Sequence, residues 1–139
     1  MQRIVDQRFN DLFCSSNALC LDIGDNYADE DGDPMPAYSF LVIGPCRFTR
    51  GGTVLLSATK LYAEHGNNGL ACTQDARLVA VKEALVGSFV ESASLSQDGD
   101  LFVAFSCGIC FTFCGAQGGS FALYKHHENG PCISYGNDF

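Results

Sequence analysis

Residues 89–113 read FVESASLSQDGDLFVAFSCGICFTF, and this stretch decides the fold. Phe89 to Leu95 alternates apolar and polar residues, the period of a half-buried strand. The turn Gln97-Asp98-Gly99-Asp100 follows. Asp-Gly between apolar runs signals a tight hairpin, because glycine accepts the positive φ that the turn demands. Leu101 to Phe105 and Ile109 to Phe113 are two further strands, hinged at Cys107-Gly108. The expectation is an antiparallel meander with positive φ at Gly99.

Working outward, Leu19 to Ile23 (LCLDI) alternates, and Tyr38 to Ile43 (YSFLVI) has the pattern of a strand covered on both faces. Thr53 to Ser57, extending towards Tyr62, is rich in strand formers after the turn Arg50-Gly51-Gly52. Phe121 to Lys125 is another strand, and Ile4 to Phe13 fits either a strand or a short helix. Thr73 to Val86 follows a different period: Leu78, Val81 and Leu85 recur at helical spacing, Thr73 is placed to cap and Gly87 to stop. The chain also echoes itself. Ala18–Ile23 followed by Tyr38–Ile43 parallels Asp100–Phe105 followed by Ile109–Phe113, with residues 25–36 as an insertion where the second copy has only Ser106-Cys107-Gly108. The fold expected is mainly β (α+β): one domain over residues 1–139, with antiparallel sheets from two similar β-meander halves. The halves, roughly 1–62 and 84–125, are joined by one amphipathic helix at 73–86 that packs on the sheet.

The 139-residue length suits a single domain with its own core, and 47% hydrophobic against 17% charged residues is too apolar for a disordered chain. A net charge of −8 repels phosphate backbones and argues against direct nucleic-acid binding. The opening MQRIVDQRFND has no apolar core of a signal peptide, so a cytoplasmic location is expected. The least charged stretch, Leu101 to Leu123, is interrupted by Gly108, Gly115, Gly118 and Gly119, so no membrane span is expected. The eight cysteines are then expected as reduced thiols serving as small apolar groups.

The polar residues suggest three chemistries. Residues 25–36, DNYADEDGDPMP, gather Asp25, Asp29, Glu30, Asp31 and Asp33. With Gly32 at position 6 of a calcium loop, Asp29 and Asp31 fall on positions 3 and 5, but positions 1 and 12 become Tyr27 and Tyr38, and the EF-hand reading fails. Cys107, Cys110 and Cys114, with His126, His127 and Cys132 downstream, have a superficial zinc pattern. On a strand, however, Cys110 and Cys114 stand about 13 Å apart at roughly 3.3 Å per residue, too far for one ion. Cys132 near His127 has no third member for nucleophilic catalysis, and no phosphate loop, dinucleotide fingerprint or nucleophile elbow is present. No catalytic residue, metal or cofactor is therefore expected.

The runs Val86-Gly87-Ser88-Phe89-Val90, Ser96 to Phe105 and Gly108-Ile109-Cys110-Phe111 together resemble small bacterial β-rich domains of the type found among, or beside, immunity proteins of polymorphic-toxin and contact-dependent inhibition systems. The resemblance covers residues 84–125 and, more loosely, 18–48. It departs from that pattern in the last strand, where a tryptophan is usual and this chain has Ser120 to Tyr124. It implies a protein that binds and neutralises a cognate toxin by occlusion, without catalysis. The charge pattern is compatible: eight of the sixteen acidic residues lie within the first 33 positions, against Arg3 and Arg8. A nuclease toxin is basic because it must hold phosphates, so Asp25, Asp29, Glu30, Asp31 and Asp33 are the expected partner-binding residues. The alternative is a small-ligand or metal-binding β-domain using the cysteine-rich strands.

Overall fold

The computed structural model describes residues 1–139. A single turn of 3₁₀ helix at Gln2–Ile4 precedes β1 (Phe9–Ser15) and β2 (Ala18–Ile23). Two short strands, β3 (Tyr27–Ala28) and β4 (Pro34–Met35), follow, then β5 (Tyr38–Ile43), β6 (Cys46–Arg50) and β7 (Thr53–Ser57). Helices α1 (Ala58–His65), α2 (Gly69–Gln74) and α3 (Ala76–Leu85) lead into β8 (Val90–Leu95), β9 (Leu101–Phe105) and β10 (Ile109–Phe113). The chain ends with β11 (Ser120–Lys125) and β12 (Ile133–Tyr135).

The main strands form two antiparallel sheets of five, ordered β1-β2-β5-β11-β12 and β8-β9-β10-β6-β7, which share one core. Phe113 meets Phe121 edge-on at 5.3 Å between ring centres, and Phe9 meets Phe105 at 6.4 Å, each pair bridging the two sheets. No helix is long and apolar enough to cross a membrane.

The registers show that the echo in the sequence is a structural repeat. Phe9 pairs with Ile23 as Val90 pairs with Phe105, and a bulge follows Phe9 in β1 as one follows Val90 in β8. Leu21 pairs with Phe40 as Val103 pairs with Phe111. Phe40 then pairs with Leu123 as Phe111 pairs with Phe48. Each half is thus a three-stranded meander followed by a hairpin, and each hairpin joins the sheet of the other half. The halves therefore interlock rather than sit side by side. Where the equivalent residues Arg8 and Phe89 face each other they form an isolated bridge, with Phe9 N–H donating to the Ser88 carbonyl and Val90 N–H to that of Gln7. This bridge marks the approximate twofold axis.

The link between halves carries three helices rather than one. The strand at Thr53 ends at Ser57, so the segment towards Tyr62 is helical. Asp75, not Thr73, caps α3: its Oδ1 accepts from the Arg77 N–H at 2.9 Å. A carboxylate at a helix N-terminus also meets the positive end of the helix dipole, an advantage threonine lacks. Thr73 lies within α2, where its Oγ1 accepts the Cys14 N–H at 2.9 Å and so satisfies a donor on the outer edge of β1. Leu78, Val81 and Leu85 do form the buried face of α3, and Gly87 leaves it at φ +83°.

Gly99 has φ +84°, as the hairpin requires. A Cβ there would also collide with the Tyr135 ring, and one on Gly115 would meet the same ring, so two turns of the second half are pinned under β12. Cys14, Cys20, Cys46 and Cys72 are buried, and Cys107, Cys110, Cys114 and Cys132 are half-buried; none is disulfide-bonded. Burial pushes the Cys14 thiol up to about 11 and the Cys20 thiol up to about 12, which keeps both protonated and unreactive at neutral pH.

Leu85→Ala removes a fully buried side chain and is expected to cost about 2–5 kcal/mol in chemical denaturation. Gly99→Ala is expected to destabilise as well, and combining it with Tyr135→Ala should recover the steric part of the loss but not the part due to positive φ.

Candidate functional site

The insertion between Ile23 and Tyr38 folds as a hairpin, and Asp29 shapes it. Asp29 Oδ1 accepts from the N–H groups of Asp31 (2.9 Å) and Asp33 (2.8 Å), while its own N–H donates to the Asp33 carbonyl. Gly32, at φ +82°, lets the tip reverse. Asp25 accepts from Arg8 Nη2 at 2.8 Å in an exposed ion pair. Glu30, Asp31 and Asp33 are exposed and outside every ion pair of the structure. Of the five expected binding carboxylates, one is engaged in building the loop, one is paired, and three project freely. Oxygens of Asp29, Asp31 and Asp33 lie within 4.8 Å of one another.

The hairpin is docked rather than free. The Tyr27 ring packs on His127 at 4.4 Å and lies 6.2 Å from His126, and the Pro34-Met35-Pro36 arm lies over the outer face of the first sheet. Beneath that arm is a cavity of about 540 Å³, walled by Phe13, Leu41, Met35 and Tyr124 and reaching Asp22, Ser39 and His126.

Asp22 is 9% exposed. Ser39 Oγ donates to Asp22 Oδ1 at 2.7 Å, and His126 Nε2 lies 3.2 Å from the same Oγ. The serine proton is directed to the carboxylate, so the imidazole N–H must be the donor to Oγ. The result is a chain, His126 to Ser39 to Asp22, running from the cavity rim to its floor. Here the serine sits between the histidine and the carboxylate, whereas a hydrolase triad needs the histidine in the middle. The chain orients the Asp22 carboxylate through the Ser39 hydroxyl.

Sequence reasoning missed this constellation. Asp22 was visible only as the one charge in an apolar strand; Ser39 lies 17 residues further along the chain and His126 another 87 beyond Ser39. His126 is half-buried and engaged, while His127 is the exposed member of the pair. Cys132 donates to the Leu123 carbonyl at 3.2 Å.

A second charged cluster staples the helices. His65 Nε2 donates to Asp75 Oδ2 at 2.8 Å, and Arg77 Nη2 reaches both Glu64 (2.6 Å) and Asp75 (2.9 Å). These hydrogen bonds, chiefly from Arg77 and then from His65, hold the Asp75 carboxyl well below the usual carboxylate range. Asp22 is shifted the opposite way: burial raises it, the Ser39 hydrogen bond opposes, Asp11 adds to the rise and His126 lowers it.

Comparison with protein-family models, curated proteins and solved structures gave no match.

The two carboxylates should give opposite pH responses. A carboxyl raised in the fold contributes stability that is fully present below its unfolded pKa near 4 and is lost as pH rises through the folded value. Asp22→Asn, which keeps an acceptor for Ser39, is thus expected to raise the melting temperature at pH 7, with the gain shrinking as pH falls towards about 4. Asp75 is lowered, so its contribution is present above about 4 and fades on further acidification. Asp75→Asn should melt earlier than wild type at pH 7 and approach it at low pH. Thermal melts of the three proteins across that range decide the matter.

Proposed function

We propose that the protein binds and neutralises a basic toxin domain, most naturally a nuclease, by occlusion and without catalysis, as a cytoplasmic immunity protein. The observation that supports this reading most is the hairpin tip, where Glu30, Asp31 and Asp33 stand exposed and unpaired on a loop whose shape is fixed by Asp29 and by the Tyr27–His127 contact. Unpaired carboxylates on an ordered projection lose little conformational entropy on docking and present a fixed negative field. A nuclease surface built to hold phosphates is complementary to that field. Asp25, tied to Arg8, would contribute less, and Asp29 would act by holding the loop rather than by contact.

The first test is growth rescue: a toxin domain encoded immediately upstream should kill when expressed alone and be silenced when this chain is co-expressed. With that complex purified, Glu30→Gln/Asp31→Asn/Asp33→Asn should associate more slowly and with a shallower salt dependence than wild type, while losing no more than about 0.5 kcal/mol of stability per site. Asp29→Ala should act differently, loosening the hairpin and raising the dissociation rate as well. Association rates that do not change at any salt concentration would move the interface to another face.

A further inference from the structure

The repeat supplies an internal control for the cavity behind the hairpin. By the strand registers, Asp22 occupies in the first sheet the position of Ala104 in the second, and Ser39 that of Cys110. The same fold therefore accepts small, uncharged residues at both positions, and the architecture does not demand a carboxylate there. The second half also lacks the overhanging arm, having only residues 106–108 where the first has 24–37. The buried polar chain and its cover occur together, in one half.

Asp22 receives a single hydrogen bond, from Ser39 at Oδ1, and Oδ2, which has no protein donor, is open to the cavity that Asp22 lines. No lysine or arginine pairs with Asp22; His126 reaches it only through the Ser39 hydroxyl, and Lys125, His127 and Glu128 of the lining are exposed. A carboxylate withdrawn from water without a counter-charge is costly unless something pairs with it. Phe13, Leu41, Met35 and Tyr124 give the cavity one apolar wall beside the polar Lys125, His126 and Glu128, and the free carboxylates of the tip share the hairpin that supplies Met35.

We propose that this cavity is a binding site for a cationic group carried on an apolar stem, a guanidinium or ammonium seated on Asp22 with its stem against Phe13, Leu41, Met35 and Tyr124. A cavity of about 540 Å³ is in the size range of small-ligand sites. Asp29, Glu30 and Asp31, which line an adjoining pocket with the shared residues Met35, His126 and His127, enrich cations locally, and the His126–Ser39 pair fixes the carboxylate orientation. Two sources carry this chemistry: a free small amine or guanidine, and a lysine or arginine side chain of a protein partner.

The probe is n-butylguanidinium, titrated into the full chain and followed by amide and side-chain NMR shifts, with the uncharged n-butylurea as control. Wild type is expected to saturate with shifts centred on Asp22, Leu41 and Tyr124, and n-butylurea to bind far more weakly. Asp22→Asn should weaken the probe about ten- to hundredfold, the worth of a hydrogen bond to a charged group. Met35→Ala should weaken it too, without touching the carboxylate. Failure of wild type to saturate, or equal binding by Asp22→Asn with its fold intact, overturns the proposal. These titrations need no toxin, so their outcome is independent of the immunity reading. Where a partner complex is in hand, exclusion of n-butylguanidinium from it, with a faster dissociation for Asp22→Asn, assigns the site to a partner side chain. Equal probe binding to free and complexed protein assigns it to a free small molecule.

Discussion

The inner edge of each meander, on β5 and on β10, has a row of backbone donors and acceptors that the core leaves no water to satisfy. In this chain each row is satisfied by the other half: β11 lies along β5 and β6 along β10. An unpaired buried backbone group costs about as much as a lost hydrogen bond, so neither three-stranded meander is an adequate structure alone. The exchange of hairpins places the aromatic side chains of both sheets in one core, sets the Arg8–Phe89 bridge on the axis, and leaves β1 and β7 as edges for the helices to cover. The outer edge of β1 is closed in part by a side chain, the Thr73 hydroxyl at Cys14.

Within so regular a frame, irregularity is informative. The two outer sheet faces are equivalent by topology, yet one carries Asp22 and Ser39 under an ordered arm and the other carries Ala104 and Cys110, both half-buried, with no such arm. Stability alone favours the second arrangement, because a buried carboxylate held by one hydroxyl is raised in pKa and weakens the fold at neutral pH. Asp75 makes the contrast plain. It is also largely screened from water, but Arg77 and His65 both donate to it, and there the carboxylate strengthens the fold. Two acids of one type thus have opposite effects, decided by the number of charged donors around each.

Much of this was legible in the sequence because it is local. Period-two alternation located β2 and β8, short apolar runs between turn signals located β5, β9, β10 and β11, Asp98-Gly99 gave its turn, and the repeat was visible since both halves keep the same spacing of apolar residues. The buried face of α3 followed from Leu78, Val81 and Leu85. What escaped was non-local or too short. β6 (CRFTR) and β12 (ISY) carry little pattern of their own and are strands because a meander edge waits for them. The swap itself depends on pairings between distant segments that no window of residues can display. The acidic run was recognised, but not its division of labour: Asp29 and Glu30 are adjacent, and only the fold makes one a staple and the other a free charge. The Asp22 chain was hidden because its members come from β2, β5 and the turn after β11.

The interlocking has a consequence in time. A ribosome delivers this chain from the first residue, and the first meander emerges with its β5 edge bare until β11 follows, more than half the chain later. The earlier hairpin, β6-β7, is likewise made before the β10 strand it will join exists. Neither sheet can be completed during synthesis of the first half, so folding waits until β10 and β11 have emerged, and non-local pairing of this kind is intrinsically slow. In that interval two nascent chains close together expose the same complementary edges and hairpins, and each can complete the other. Exchange between halves of one molecule is, for a crowded polysome, exchange between neighbours as well.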